Sequence, residues 1–160
     1  MTPVHPDTLA ALTSGIQSEV ASYVFYLEAS KKEFAAPYKD VLQKLALEEK
    51  EHFQVLERQY DSLVRSEKWV LTADILRQEG LPEIGEEMTR RHRALVDEVA
   101  AAQTTKEVLQ IALRLEQEAR DLFTGAAAQV DTDEGKAMFE RLAKFEQGHV
   151  NMITRMLEQA

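Results

Sequence analysis

The sequence predicts an all-α protein in which two αα-hairpins, joined by a long crossover, close into one four-helix bundle spanning residues 1–160. Three observations predict it. Apolar residues recur at steps of three and four through four long stretches, the spacing of a helix with one buried face, and strand-like runs are missing. The first and last pairs of stretches repeat one another at a constant offset of 97 residues, pairing Leu12 with Leu109, Leu45 with Leu142, Ala46 with Ala143, Arg58 with Arg155 and Tyr26 with Phe123. Between them, residues of about 64–103 break the pattern. A connection that long lets the third helix run parallel to the second, where a short loop would force the two antiparallel.

The first helix is expected from Asp7, a residue type suited to an N-cap, to near Lys32, with Leu9, Leu12, Ile16, Glu19, Tyr23 and Tyr26 on its stripe. Glu33–Pro37 makes a short turn. The second helix then carries Tyr38, Leu42, Leu45, Glu49, His52, Leu56, Tyr60 and Leu63 in line. In the crossover, Trp69, Gly80, Pro82 and Gly85 punctuate short helical pieces over Leu71–Gln78 and Glu86–Val99. Thr104-x-x-Glu107 has the form of a capping box and opens the third helix, with Leu109, Ala112, Glu116, Ala119, Phe123, Ala126 and Val130 on its stripe. A turn over Asp131–Glu134 restarts the last helix, which lines up Phe139, Leu142, Glu146, His149, Ile153 and Met156.

Six residues on those stripes are polar where a helix should bury oil: Glu19, Glu49, His52, Glu116, Glu146 and His149. The second three lie 97 residues after the first three, so the intrusions belong to the repeat. In each Glu-x-x-His the two side chains stand about one turn apart on the same helix face. One Glu from each of two helices, plus a Glu-x-x-His from each of the other two, is the donor set that a bundle uses for two metal ions. Four buried carboxylates repel one another and are costly to desolvate, whereas two divalent cations neutralise them. Carboxylate and imidazole donors without thiolate suit iron, manganese or zinc and argue against copper(I). Glu48, Glu51 and Glu118 fall off the stripes and are expected in solvent, and His5 and His92 are not ligand candidates. Tyr23 and Tyr26 are expected mainly in core packing, with a hydrogen bond to a ligand carboxylate as the alternative. Met138, Met152 and Met156 are expected to fill the core.

Composition narrows the partners. With no Cys there is no disulfide, iron–sulfur or four-cysteine iron centre in the chain, so redox electrons would come from a separate donor. A formal charge of −9, with only the short basic run Arg90–Arg93, makes nucleic acid and anionic membrane poor partners. No apolar run is long enough to span a bilayer, the first six residues lack the features of a leader, and a cytoplasmic location is the expectation.

At these residues the chain resembles the ferritin-like di-iron carboxylate family, and within it the helical domain of rubrerythrins. Residues 17–26, Gln-Ser-Glu-Val-Ala-Ser-Tyr-Val-Phe-Tyr, look like the first-helix motif of that family, and Glu49-Lys-Glu-His52 like its second-helix motif. The likeness covers the two hairpins, roughly residues 7–63 and 104–160, but not the crossover. It implies a pair of iron ions, with manganese or zinc as alternatives, and a reaction with hydrogen peroxide or dioxygen. Two departures qualify it. The rubredoxin-like module of rubrerythrins is absent, and the position of their extra third-helix glutamate is Ala119. The second argues against rubrerythrin-type ligand exchange and leaves a more symmetric set, closer to that of ferritins and bacterioferritins. The leading expectation is a di-iron oxidoreductase. A ferroxidase for iron storage or detoxification is the alternative, and a metal-free helical interaction module follows if the six intrusions are accidental. Finally, Val20, Val24 and Leu27 form a second oily face on the first helix. A homodimer would bury it; the alternative is a crossover folded back over it through Trp69, Leu71 and Ile75.

Overall fold

The computed structural model describes residues 4–160. In chain order its helices are α1 (Pro6–Ser30), α2 (Lys39–Ser66), α3 (Thr72–Leu76), α4 (Glu86–Arg90), α5 (Arg93–Ala101), α6 (Thr105–Gln129) and α7 (Asp133–Gln159), with a 3₁₀ turn over Glu33–Tyr38. Among the described residues there is no strand, and no helix is long and apolar enough to cross a membrane. Part of the leader expectation rests on residues 1–3, which lie outside the described residues.

Helix ends follow side-chain chemistry. His5, not Asp7, caps α1: its Nδ1 accepts from the Asp7 N–H, and Pro6 takes the first helical position, where its fixed φ suits the helix and its missing N–H costs nothing. Thr104 Oγ1 accepts from the Glu107 N–H at the start of α6, and the Glu107 carboxylate reaches back to the Gln103 N–H, one residue before the cap. Thr132 does the same for α7 through the Gly135 N–H. The end of α2 is set by Glu67, which adopts the left-handed conformation at φ 58° and donates its N–H to the Leu63 carbonyl. The crossover pieces are shorter than the periodicity suggests. Leu71–Gln78 is reduced to α3, and Glu86–Val99 is interrupted at Arg91–His92, giving α4 and α5.

Two core layers fix the directions of the long helices. One joins Phe25, Tyr26 and Ala29 of α1, Leu42 and Leu45 of α2, Leu109 and Ala112 of α6, and Ile153 and Met156 of α7. The other joins Leu12, Leu56, Leu63, Phe123, Ala126, Phe139 and Leu142 from the same four helices. Along the chain, α1 and α7 run from the second layer to the first, and α2 and α6 run from the first to the second. Helices α2 and α6 are therefore parallel, as the long crossover allows. The repeat partners Leu12 and Leu109, Tyr26 and Phe123, and Leu45 and Leu142 sit in opposite layers, so the operation relating the two halves exchanges the layers and leaves fixed the level between them. Close approach in the second layer needs a small residue: a Cβ on Gly15 would lie 2.9 Å from the Phe123 ring and 3.2 Å from Leu56.

The crossover closes the second face of α1. Val20 and Val24 are buried together with Phe53, and Ile84, Met88 and Val96 pack over them. The crossover, the alternative cover expected for that face, closes it, so the face gives no reason of its own for a homodimer; the covering residues are Ile84, Met88 and Val96 and not the Trp69, Leu71 and Ile75 expected. Trp69 and Ile75 pack into the second core layer instead, Trp69 edge-on to Phe139 at 6.4 Å, while Leu71 is exposed. Gln59 anchors the start of this route, its side-chain amide bonding both the N–H and the carbonyl of Val70.

Candidate metal centre

The six polar intrusions meet between the two core layers. Each is there because its helix keeps the register of its stripe: Glu19 follows Leu12 on α1, Glu116 follows Leu109 and Ala112 on α6, and each Glu-x-x-His lies between apolar turns of α2 or α7. The four carboxylates are 0% exposed. His52 and His149 are also buried. Their donor atoms form two overlapping groups, Glu19, Glu49, His52 and Glu146, and Glu49, Glu116, Glu146 and His149, each with its atoms within 4.8 Å of one another. Glu49 and Glu146 belong to both.

The contacts are those of a crowded cage. His149 Nδ1 lies 2.9 Å from Glu49 Oε1, 3.2 Å from Glu146 Oε2 and 3.3 Å from Glu116 Oε1. His52 Nδ1 is 3.2 Å from Glu146 Oε1 and 3.6 Å from Glu19 Oε1. Both oxygens of Glu19, both of Glu49 and one of Glu116 are buried without a hydrogen-bond partner; the short approach of Glu49 to His149 has the wrong angle for one. An unpaired buried carboxylate oxygen is costly, and native proteins keep few of them. Among the described residues, the basic groups within ion-pair reach of these carboxylates are the two imidazoles and no Lys or Arg. Acceptor oxygens and imidazole nitrogens converging with no Lys or Arg among them form a donor set able to hold a metal ion.

Burial dominates the protonation balance. It pushes Glu19, Glu49 and Glu116 well above the ordinary carboxyl value of 4.5, reinforced by the neighbouring carboxylates. Burial acts on Glu146 in the same direction, but the adjoining Glu116 carboxyl and the His149 and His52 imidazoles outweigh it and hold that carboxyl well below 4.5. Burial would lower both imidazoles, yet the facing carboxylates win. His52 is raised above 6.5 mainly through Glu146, and His149 is raised much further by Glu116, Glu146 and Glu49.

Two supporting residues went unread or underweighted in the sequence. Glu48, expected in solvent, is half-buried and places Oε2 2.8 Å from His149 Nε2. Tyr26 packs in the core, as expected, but its hydroxyl also donates to Glu116 Oε1 at 2.6 Å. Tyr23 instead packs near Val20, Val24 and Phe53. Glu51 and Glu118 are exposed, and His5 stands at the helix cap. Met138 and Met156 fill the core and Met152 packs against it. Phe145, 43% exposed, stands edge-on to both imidazoles, at 4.6 Å from His52 and 5.3 Å from His149 between ring centres. Periodicity could not have found Glu48, which is off the stripe, although an acid next to a ligand position is a natural partner for a neighbouring histidine.

No protein-family model matches the chain, and no curated protein or solved structure matches it.

Proposed function

We propose that this chain is a ferritin-like di-iron carboxylate protein, an oxidoreductase that reacts with hydrogen peroxide or dioxygen and takes its electrons from a separate donor. The observation that carries the reading is the pair of overlapping donor groups, one histidine in each, with Glu49 and Glu146 common to both. Glu19, Glu49, His52 and Glu146 would hold one ion and Glu49, Glu116, Glu146 and His149 the other. When bound, a pair of ferrous ions supplies two electrons to an O–O bond without releasing a radical. The protein's own part is geometry and exclusion of water. The two apolar layers close the cage above and below, and the Tyr26 hydroxyl, 2.6 Å from Glu116 Oε1, donates its proton to that oxygen in a hydrogen bond. The approach to His52 is a cavity of about 70 Å³ beside Phe145, a size that favours a diatomic or a peroxide over a larger organic substrate. The helix order and directions support a ferritin-like arrangement of two αα-hairpins.

A ferroxidase reading draws on a different observation. Glu48 and Glu51 line that same cavity beside a single Arg141, and a net acidic approach concentrates cations, which would make ferrous iron itself the substrate. The metal-free module fits least well, because it leaves the cage's unpaired carboxylate oxygens unsatisfied.

Metal analysis followed by anaerobic titration of the ferrous protein tests the proposal. Two ions per chain, oxidised by two electron equivalents of peroxide or dioxygen, are expected. Continued oxidation of excess ferrous iron would favour the ferroxidase. Glu116→Ala should lose metal while Glu118→Ala keeps it; equal binding by both variants would refute the assignment.

A further inference from the structure

The sequence repeat makes the two halves of the cage equivalent in donors, but the side chains behind the donors are not equivalent. Behind His149 stands Glu48, 2.8 Å from its Nε2. The residue 97 positions after Glu48 is Phe145, and it meets His52 edge-on at 4.6 Å. Behind Glu116 stands the Tyr26 hydroxyl, at 2.6 Å. The repeat counterpart of Tyr26 is Phe123, which has no hydroxyl to offer, and both oxygens of Glu19 are without a partner. Both polar supports therefore serve the Glu116–His149 half, and both of their counterparts are phenylalanines.

A carboxylate on Nε2 keeps the proton on that nitrogen, fixes the ring, and leaves the Nδ1 lone pair facing the cage as a stronger donor. Tyr26 likewise fixes the orientation of the Glu116 carboxyl. His52 has neither support, and it borders the small cavity lined by Glu48, Glu51, Arg141 and Phe145. Its side chain is 10% exposed, against 4% for His149.

Resting on the reading of the cage as a two-metal site, we propose that its two positions differ in function: the Glu116–His149 position retains its ion, and the Glu19–His52 position exchanges its ion through the cavity beside Phe145. Glu48 and Tyr26 are the positioning residues that create the difference, acting through His149 and Glu116.

The test is metal release, with cobalt(II) as the probe. Protein loaded with two equivalents is mixed with excess chelator, and the loss of the cobalt absorption bands is followed in time. Two phases of equal amplitude are expected, one ion leaving in each. Glu48→Ala and Tyr26→Phe should accelerate the slow phase, for Glu48→Ala by roughly 10–100-fold, and leave the fast phase in place. Glu48→Gln, which keeps an acceptor oxygen, should recover part of the slow release. Glu51→Ala, lining the same cavity without touching either histidine, should leave the slow phase unaltered. Phe145→Ala should accelerate the fast phase. Release of both ions in one phase would overturn the inference, as would a slow phase indifferent to both Glu48→Ala and Tyr26→Phe. Failure to take up two equivalents at all would instead overturn the two-metal reading. Tyr26→Phe removes one oxygen from a well-packed ring, so the test survives if a Glu48 variant folds poorly.

Discussion

Removing metal from the cage should destabilise the fold by an amount that depends on pH. A ligand that binds only the native state, held at 100 times its dissociation constant, adds about 2.7 kcal/mol, so two positions add roughly 5 kcal/mol. For a chain of this length each kcal/mol moves the melting temperature by about 2–4 °C, and the loaded protein should melt roughly 10–20 °C above the stripped one. The pH dependence follows from the buried acids. Glu19, Glu49 and Glu116 are raised above 4.5 in the folded state, so their protonation stabilises the stripped protein fully below that value, and the stabilisation is lost as pH rises through the folded values. His52 and His149, raised above 6.5, act in the same direction over a higher range. Glu146, held below 4.5, acts oppositely, and its contribution disappears only in acid. The gap between loaded and stripped protein should therefore widen from pH 5.5 to pH 8, and loading should release protons into a weakly buffered solution. Thermal melts of both forms across that range, with metal content measured on the same samples, provide the assay. A stripped protein that melts with the loaded one at every pH would refute the argument.

Three further outcomes follow. Tyr26→Phe deletes a buried hydrogen bond to a carboxyl oxygen without opening a cavity, and should cost about 1.5–3 kcal/mol, read by denaturant unfolding. Gly15→Ala places a Cβ 2.9 Å from the Phe123 ring, and should destabilise by about 1–3 kcal/mol through overpacking; an unchanged or raised melting temperature would show that the ring yields freely. Val24→Glu buries a charge beneath the crossover residues Ile84, Met88 and Val96, and should cost on the order of 3–5 kcal/mol without altering the assembly state. If light scattering instead shows a wild-type dimer that this variant splits into folded monomers, the crossover is not what covers that face.

Much of this protein is written in periodic signals, which survive in a bare sequence because a helix repeats its own geometry. Leu12, Leu45, Leu109 and Leu142 mark buried faces at helical spacing, and the helix parity follows from the length of chain between Leu63 and Thr104. The six polar residues of the cage stand out for the same reason: each breaks an apolar stripe, and a constant offset joins them. What the sequence left open depends on which aperiodic side chains meet across elements. Ile84, Met88 and Val96 come from broken helical pieces with no sustained stripe, so nothing local aims them at Val20 and Val24. His5 outcompetes Asp7 as a cap because Pro6 fixes where α1 begins. Glu48 looks like any solvated acid on α2 until α7 brings His149 within 2.8 Å of it, 101 positions along the chain. Local sequence sets the period of a helix and therefore its buried face; only tertiary packing sets what stands opposite a residue just off that face, and in this chain that is where the two halves of the cage cease to be alike.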